Sequence, residues 1–321
     1  MRRREFISAL GSAAAMPFAA RGQEPGRTYR LGMIAPSARD DPPLVAFFEE
    51  LRRSGFIEGQ NLVVIPGGLG ISSERNSGAA EALVRQRPDV ITSDAGAAHH
   101  LKRLTQEIPI VVMGHDILAD GLVTSVARPS GNITGISILG PELDGKRQDL
   151  LIDATPAARR IAALAKIAHA DRLPQYQEAA RARGVELSIV RVKSPHEIAS
   201  ALGAAKASGV EAINVLATPL FGSHQNRGFV LDRMVALRLP AVYQWPDMAE
   251  QGGLMAYGPS FVELYRQRAR MVVKVFRGTK PADMPVEQPT RFELVINVKT
   301  AKAIGHEIPA NLLLRADRVI E

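Results

Sequence analysis

The chain has 321 residues, enough to build two lobes with separate hydrophobic cores. It contains no cysteine, which excludes disulfides, thiolate metal sites, a cysteine nucleophile and a lipid anchor on an N-terminal cysteine. The formal net charge is +7, but basic and acidic residues are interspersed and aromatic residues make up only 5% of the chain. These features offer no platform for stacking bases, so we expect no nucleic-acid partner.

The first 22 residues have the three parts of an export signal. Arginines at positions 2–4 come first, an apolar stretch from Phe6 to Ala20 follows, and small residues precede Gln23. The apolar stretch is shorter than the roughly 20 residues that a membrane-spanning helix needs. The start of the chain also matches the twin-arginine pattern R-R-x-F. We therefore predict that residues 1–22 are a signal peptide and that the mature protein is periplasmic, exported by the twin-arginine route.

After residue 28, apolar runs typical of buried strands alternate with amphipathic helical runs. Continuous apolar strands separated by helices predict parallel sheets covered by helices on both faces. The strands of this first unit are YRLGMIA (29–35), NLVVIP (61–66), DVITS (89–93) and IPIVVM (108–113). The helices are PLVAFFEELRRSGF, with Gly55 as its stop, SERNSGAAEALVRQ and AGAAHHLKRLT.

The same alternation restarts near residue 160. The strands of this second unit are RIAALAKI (160–167), VELSIVRV (185–192), EAINVLA (211–217) and PAVYQ (240–244). Two units of similar size predict an α/β protein with two Rossmann-like lobes. The final segment adds a helix, a strand and a helix, which fit if the chain crosses back to the first lobe and then returns. We therefore expect an N-terminal lobe of residues 29–140 plus 258–289 and a C-terminal lobe of 141–257 plus 290–321.

No group of residues in the sequence points to catalysis. No G-x-S-x-G nucleophile elbow occurs. His99 and His100 are adjacent, so on a helix their side chains diverge by about 100° and cannot easily share one metal ion. The GGLG stretch at 67–70 lacks the third glycine of a dinucleotide-binding loop and the Lys-Ser/Thr ending of a P-loop. We expect no catalytic residue, no metal site and no cofactor.

Polar and aromatic residues follow the ends of the predicted strands in both units. A ligand of such a protein belongs between the lobes, at the carboxyl ends of the strands. The turn at residues 93–96 leads from a strand into a helix, which predicts free backbone N–H groups suited to an anion. The candidate ligand-binding residues are Ser37, Asp94, Ala95, Gly96 and Asp116 in the first unit, and Lys166, Thr218, Phe221, Gln244, Trp245 and Tyr257 in the second.

Three of these candidates are aromatic, namely Phe221, Trp245 and Tyr257. Aromatic side chains at strand ends either wall a ligand pocket or fill a hydrophobic core. Each lobe also needs core residues of its own, so the sequence leaves both interpretations open.

Four long segments of the sequence are distinctive. They are GFIEGQNLVV, ARPSGNITGISILGPELDGKRQDLL, LPAVYQWPDMAEQGGLMAYGPS and KPADMPVEQPTRFELVINVKTAKAIGHEIPANLLLRADRVIE. Together they resemble signature segments of the periplasmic substrate-binding proteins of ABC transporters, in the subgroup that includes tryptophan and other aromatic amino acid binders. The resemblance runs from about Tyr29 to the C-terminus. It implies a type I binding-protein fold with three crossings and a ligand cleft between the lobes, with a small-molecule solute and an ABC permease as partners.

Two departures from the family pattern bear on the ligand. Where the family commonly has a G-T-P-A turn, this chain has D-A-G-A beginning at Asp94. Where the family commonly has W-N-P, this chain has A-K-I centred on Lys166. Lys166 is expected to pair either with a ligand carboxylate or with Asp94 across the cleft. The expected ligand is a small organic molecule, either an aromatic or apolar carboxylate or an amino acid.

Two other classes of function fit the same fold. The lobes could form the ligand-sensing module of a signalling or regulatory system, but a repressor would need an N-terminal helix-turn-helix where this chain has an export signal. An exported enzyme would also fit the fold, but the sequence offers no catalytic constellation. We therefore expect a solute receptor and not an enzyme.

Overall fold

The computed structural model describes residues 26–71, 75–166 and 173–321. The predicted signal peptide lies outside the described residues. The N-terminal sheet has five parallel strands in the order β2-β1-β3-β4-β5. They are β1 (Tyr29–Ile34), β2 (Leu62–Val64), β3 (Val90–Asp94), β4 (Ile110–Gly114) and β5 (Ile133–Ser137). Most residues of this sheet are buried, because strands packed on both faces are apolar along their whole length.

Three helices connect these strands. They are α1 (Pro42–Arg53), α2 (Asn76–Arg85) and α3 (Ala95–Leu104). In α1 the buried residues Leu44, Phe47 and Leu51 recur at three- and four-residue spacing, which places them on one face of the helix. The helix ends at Arg53, and Gly55 follows with a φ of +93°. The predicted stop at Gly55 is thereby confirmed, because glycine adopts this left-handed conformation without a steric penalty.

The C-terminal sheet has seven strands in the order β12-β11-β10-β9-β8-β6-β7. They are β6 (Arg160–Lys166), β7 (Glu186–Val192), β8 (Ala212–Val215), β9 (Ala241–Tyr243), β10 (Met255–Gly258), β11 (Glu293–Asn297) and β12 (Arg318–Ile320). Neighbouring strands are parallel except β10 and β11, which are antiparallel. This reversal follows from the chain path, because β10 ends where the chain leaves this sheet and β11 begins where the chain returns.

Nine further helices complete the described part of the chain. They are α4 (Gly140–Ala154), α5 (Leu173–Ala182), α6 (Pro195–Ala207), α7 (Pro219–Gly222), α8 (His224–Ala236), α9 (Pro246–Glu250), α10 (Phe261–Phe276), α11 (Val298–Ile304) and α12 (Ala310–Leu313). Within residues 26–71, 75–166 and 173–321, no helix is both long and apolar enough to cross a bilayer.

The chain passes between the two sheets three times. It leaves β5 for α4 at Leu139, whose φ of +56° is unusual for a leucine and costs roughly 1–2 kcal/mol. It leaves β10 at Gly258 and enters α10, which packs against α1 and against β3, β4 and β5 of the N-terminal sheet. The third passage leads from Glu287 into β11. The lobe boundaries at residues 140, 257 and 289 stay predictions.

The segment before the third passage runs parallel to β5. The Glu287 N–H donates to the Gly135 carbonyl at 2.9 Å, and the Ser137 N–H donates to the Glu287 carbonyl at 2.9 Å. The Glu287 carboxylate accepts hydrogen bonds from Gln267 and Lys274, each at 2.8 Å. Two parallel-sheet lobes joined by such crossings confirm the fold class that the sequence predicted.

Candidate ligand-binding site

The predicted site residues of the N-terminal lobe follow β1, β3 and β4, whose carboxyl ends share one edge of the sheet. Ser37 is buried, and its carbonyl accepts a hydrogen bond from the Gly70 N–H at 3.0 Å. This bond ties the loop after β1 to the loop after β2. Asp116 Oδ1 accepts from the Ala119 N–H at 3.0 Å and closes the turn after β4.

Asp94 is the last residue of β3 and the N-cap of α3. Its Oδ1 accepts a hydrogen bond from the Ala97 N–H at 2.8 Å, which is the usual cap of a helix N-terminus. The sequence predicted free N–H groups in the turn that contains Ala95 and Gly96. The Asp94 carboxylate occupies part of this helix N-terminus by accepting the Ala97 N–H, and binding of a ligand anion by Ala95 and Gly96 stays a prediction.

The charge of Asp94 is set by opposing influences. Burial raises the pKa of Asp94 above its ordinary value. The Ala97 hydrogen bond, the charge of Arg268, the Gly96 hydrogen bond and the charge of Lys166 lower it in turn, but do not offset the burial. Lys166 ends β6 of the C-terminal lobe and is half-buried. Lys166 and Asp94 end strands of different sheets and lie close enough for their charges to interact.

A second group of candidates follows β8 and β9. The Gln244 amide is buried, and its Nε2 donates to the Thr218 carbonyl at 3.3 Å. The same carbonyl accepts the N–H groups of Phe221 at 3.1 Å and Gly222 at 3.0 Å. A Cβ on Gly222 would overlap the Gln244 amide and lie 2.7 Å from Trp245 Nε1, so at least the Gln244 side chain would have to move. Gln244 Oε1 has no hydrogen-bond partner in the described part of the chain, which leaves a buried acceptor at the strand ends.

The three aromatic candidates differ in their surroundings. Phe221 is completely buried in the hydrophobic core. Trp245 is 5% exposed and packs against Phe261, the first residue of α10, with ring centroids 4.5 Å apart and an angle of 33° between the ring planes. Tyr257 is half-buried, and its ring lies 6.3 Å from that of Phe292. The structure thus places Phe221 and Trp245 in the core, and ligand contact by all three stays a prediction.

Arg147 on α4 is a buried residue that the sequence did not flag. It belongs with Arg268 among the largest fully buried side chains. Its Nη2 donates to Asp144 Oδ1 at 2.5 Å, and its Nη1 donates to the Tyr257 carbonyl at 2.9 Å. Asp144 Oδ1 also accepts the Ala217 N–H at 3.1 Å. This ion pair therefore joins α4 to the two chain segments that carry Thr218 and Tyr257.

Arg268 on α10 is the second such residue, and 1% of it is exposed. Its guanidinium carbon lies 4.0 Å from the centre of the Tyr265 ring and 5.5 Å from that of Phe47. Its Nε and Nη2 have no hydrogen-bond partner among the described residues. The sequence carries a signal for it: Leu264, Arg268 and Val272 follow at four-residue spacing, so this arginine lies on the apolar face of α10.

In the described ranges, no group of three or more histidine, cysteine, aspartate or glutamate side chains could hold a metal ion. The arrangement instead offers charged groups, a buried amide and aromatic rings at the adjoining edges of two lobes. Such an arrangement suits the binding of a small organic molecule.

The comparisons with known proteins agree with this class. Residues 55–320 match the family described as ABC transporter substrate binding protein. The chain therefore belongs to that family, whose members bind solutes outside the cytoplasm and are not enzymes. It is similar to the tyrosine-binding protein of Clostridioides difficile (strain R20291), with 22% identity over 267 residues, which cover 80% of this chain and 75% of that protein.

Two solved structures show the same fold. The ABC domain from Streptococcus pneumoniae in complex with L-Trp has a TM-score of 0.80 at 24% identity, covering 91% of this chain and 100% of that chain. The ligand-free, open structure of a substrate binding protein with adhesive properties from Clostridium difficile has a TM-score of 0.63 at 19% identity, covering 92% of this chain and 99% of that chain.

Proposed function

We propose that the protein is a periplasmic solute receptor that binds an aromatic or apolar carboxylate or amino acid between its lobes and delivers it to an ABC permease. The observation that carries the proposal is the meeting of charged and polar strand-end residues from both sheets, with Asp94 on one lobe and Lys166 on the other. A tyrosine-binding relative and a similar structure that holds L-Trp support the ligand class. Export by the twin-arginine route is part of the proposal and rests on the N-terminal sequence.

Binding works by closure of the lobes. A ligand that contacts both lobes stabilises only the closed state, so it shifts the population toward closure by its differential affinity for the two states. The permease then distinguishes the loaded receptor by the relative position of the lobes. The three crossings, including the one at Leu139, are the segments that bend.

In this proposal, different candidate residues contact different parts of the ligand. Both roles of Lys166 stay in the proposal: it pairs with the carboxylate of the ligand or with Asp94, on which its charge acts less than that of Arg268 does. Either pairing would link the lobes in the closed state. Gln244 Oε1 is an acceptor for an N–H group of the ligand. Trp245 and Tyr257 pack against the body of the ligand, while Ser37, the turn at 94–96, Asp116, Thr218 and Phe221 shape the cleft around it.

A thermal-shift screen of the mature protein, residues 23–321, tests this function. The panel contains aromatic and aliphatic carboxylates, amino acids, sugars and nucleosides. A ligand at 100 times its Kd raises stability by about 2.7 kcal/mol, because it binds only the folded protein. We expect an increase in Tm with aromatic amino acids or carboxylates and none with sugars. A response to sugars alone would contradict the proposed ligand class, and turnover of a bound compound would indicate an enzyme.

A further inference from the structure

The two helices that follow the first two crossings share a feature. Both α4 and α10 carry a fully buried arginine seven residues after their first residue, Arg147 after Gly140 and Arg268 after Phe261. Helical side chains lean toward the N-terminus of their helix, which in both cases is the end at the crossing. Both guanidinium groups are therefore directed toward the region where the lobes meet.

The two arginines differ in what neutralises them. Arg147 pairs with Asp144, three residues earlier on the same helix. At the corresponding place on α10 stands Tyr265, whose ring stacks on the Arg268 guanidinium but supplies no negative charge. An arginine remains charged at all physiological pH values, and a buried charge is stabilised by an anion that also hydrogen-bonds to it. Asp94 interacts with Arg268 through its charge but leaves Nε and Nη2 without a hydrogen bond.

The two unbonded nitrogens of Arg268, Nε and Nη2, lie on the same edge of the planar guanidinium group. Their N–H bonds point in the same direction, which is the geometry that holds both oxygens of one carboxylate. The charge of Arg268 acts on the nearby carboxylate of Asp94, but this carboxylate does not hydrogen-bond to the Nε–Nη2 edge, and its Oδ1 accepts the Ala97 N–H.

A column of aromatic rings leads from the cleft to Arg268. Trp245 of the C-terminal lobe packs against Phe261, and Phe261 contacts Tyr265 edge to face with centroids 5.0 Å apart. Tyr265 in turn covers the guanidinium of Arg268. If the lobes separated, Trp245 would move away from Phe261, and the Phe261 ring would become exposed to the cleft.

We propose that the Nε–Nη2 edge of Arg268 is the subsite for the carboxylate of the ligand, with the aromatic body of the ligand stacked in the column that begins at Trp245. This inference rests on the proposed function and makes it more specific. It requires a carboxylate on the ligand and predicts that aromatic amines lacking one are rejected.

The test uses the exported, processed protein and two probes that differ only in the carboxylate, L-tryptophan and tryptamine. Calorimetric titration of the wild type should show binding of L-tryptophan and much weaker binding of tryptamine. Arg268→Met should lower the affinity for L-tryptophan about 10- to 100-fold, the range for hydrogen bonds to a charged group, and abolish the preference over tryptamine. Arg270→Met is the matched control, because Arg270 lies on the same helix but is half exposed and pairs with Glu50.

The outcomes separate the two proposals. If Arg268→Met binds L-tryptophan as tightly as the wild type, the Arg268 subsite is wrong and the solute-receptor function stands. If the wild type responds to neither L-tryptophan nor any other carboxylate of the screen, the proposed function fails, and the subsite fails with it.

A second measurement covers the case in which Arg268→Met does not fold. A crystal structure of the wild type grown with the tightest-binding carboxylate of the screen should place both carboxylate oxygens about 2.7–2.9 Å from Nε and Nη2 of Arg268. A carboxylate bound elsewhere, for example on Lys166, would overturn the inference.

Discussion

The two lobes prepare their parts of the cleft in different ways. In the C-terminal lobe, Arg147 and Asp144 neutralise each other and hold the segments at Ala217 and Tyr257 by hydrogen bonds. In the N-terminal lobe, Arg268 stacks on Tyr265 and has two unbonded nitrogens. One lobe therefore presents a surface fixed before the ligand arrives, and the other retains a positive charge that a ligand can neutralise. In this account the C-terminal lobe supplies a rigid surface and aromatic contacts, and the N-terminal lobe supplies the positive charge for a ligand carboxylate.

Removal of Arg147 should have the largest effect on stability. Arg147→Met removes the buried ion pair of Arg147 with Asp144 and the hydrogen bond of Arg147 to the Tyr257 carbonyl, and loss of one partner of a buried ion pair costs about 3–5 kcal/mol. We expect a clear drop in Tm, measured by calorimetry, together with weaker ligand binding, because Tyr257 loses its restraint.

The double variant Arg147→Met/Asp144→Leu is the control for this prediction. It removes both charges and should recover part of the lost stability. A single variant as stable as the wild type would show that the C-terminal lobe is not held by this ion pair.

Trp245→Ala tests the aromatic contact between the lobes. A large cavity replaces a side chain that is 5% exposed, which costs about 3–5 kcal/mol at core positions. We expect lower stability in thermal unfolding and weaker binding of aromatic probes, since both roles depend on the indole ring.

Phe229→Ala is the matched control for an aromatic truncation, because Phe229 is 49% exposed. It should leave stability and binding unchanged. If Trp245→Ala weakens binding while Tm stays constant, the indole ring belongs to the ligand site and not to the core.

Gly222→Ala should disturb the fixed surface of the C-terminal lobe at a single point. The added Cβ would overlap the Gln244 amide, and overpacking of this kind costs about 1–3 kcal/mol. Thermal unfolding should show this loss. Gly228→Ala on α8 is the control, because a Cβ there has open space and a helical alanine is favoured by up to about 1 kcal/mol. Equal effects of the two substitutions would contradict the close contact at Gly222.

Asp94→Asn should have the smallest effect on stability. It tests whether the charge of this carboxylate in the N-terminal lobe stabilises or destabilises the fold. Burial raises the pKa of Asp94, so the folded protein takes up this proton at a higher pH than the unfolded chain does. The stability contribution of the group therefore increases as the pH falls through its folded pKa. Asparagine is also a good N-cap, so the variant should be at least as stable as the wild type at neutral pH.

The measurement for Asp94→Asn is Tm as a function of pH. The difference in Tm between Asp94→Asn and the wild type should become smaller in acid, where the wild-type carboxyl group becomes protonated. An advantage that grows in acid would mean that the ionised carboxylate stabilises the fold.

Apolar periodicity was sufficient to predict most of the architecture. The eight strands predicted for the two units are present, because buried parallel strands are apolar throughout. Helix α4 was not predicted. Its inward-facing residues include Arg147 and Gln148, whose partners lie elsewhere in the chain, so the helix lacks a continuous apolar stripe.

The candidate site was predictable only in part. Strand ends identified Asp94 and Lys166 as residues that could meet, because the carboxyl ends of parallel strands share one edge. That Asp94 caps α3 follows from a known preference for aspartate before helices, which the sequence already contained. The absence of a hydrogen bond to Nε and Nη2 of Arg268 was not predictable, because it depends on which residues surround the side chain after folding.

The third crossing has a further consequence for how copies of this protein meet. Strand β5 is an edge of the five-stranded sheet, and exposed edges are templates for pairing with another chain. Here the main chain at Glu287 already bonds to Gly135 and Ser137, and the Glu287 side chain is held by Lys274 and Gln267. The segment that links the lobes therefore also shields this edge from intermolecular strand addition, so a change that loosens it would favour self-association as well as altering closure.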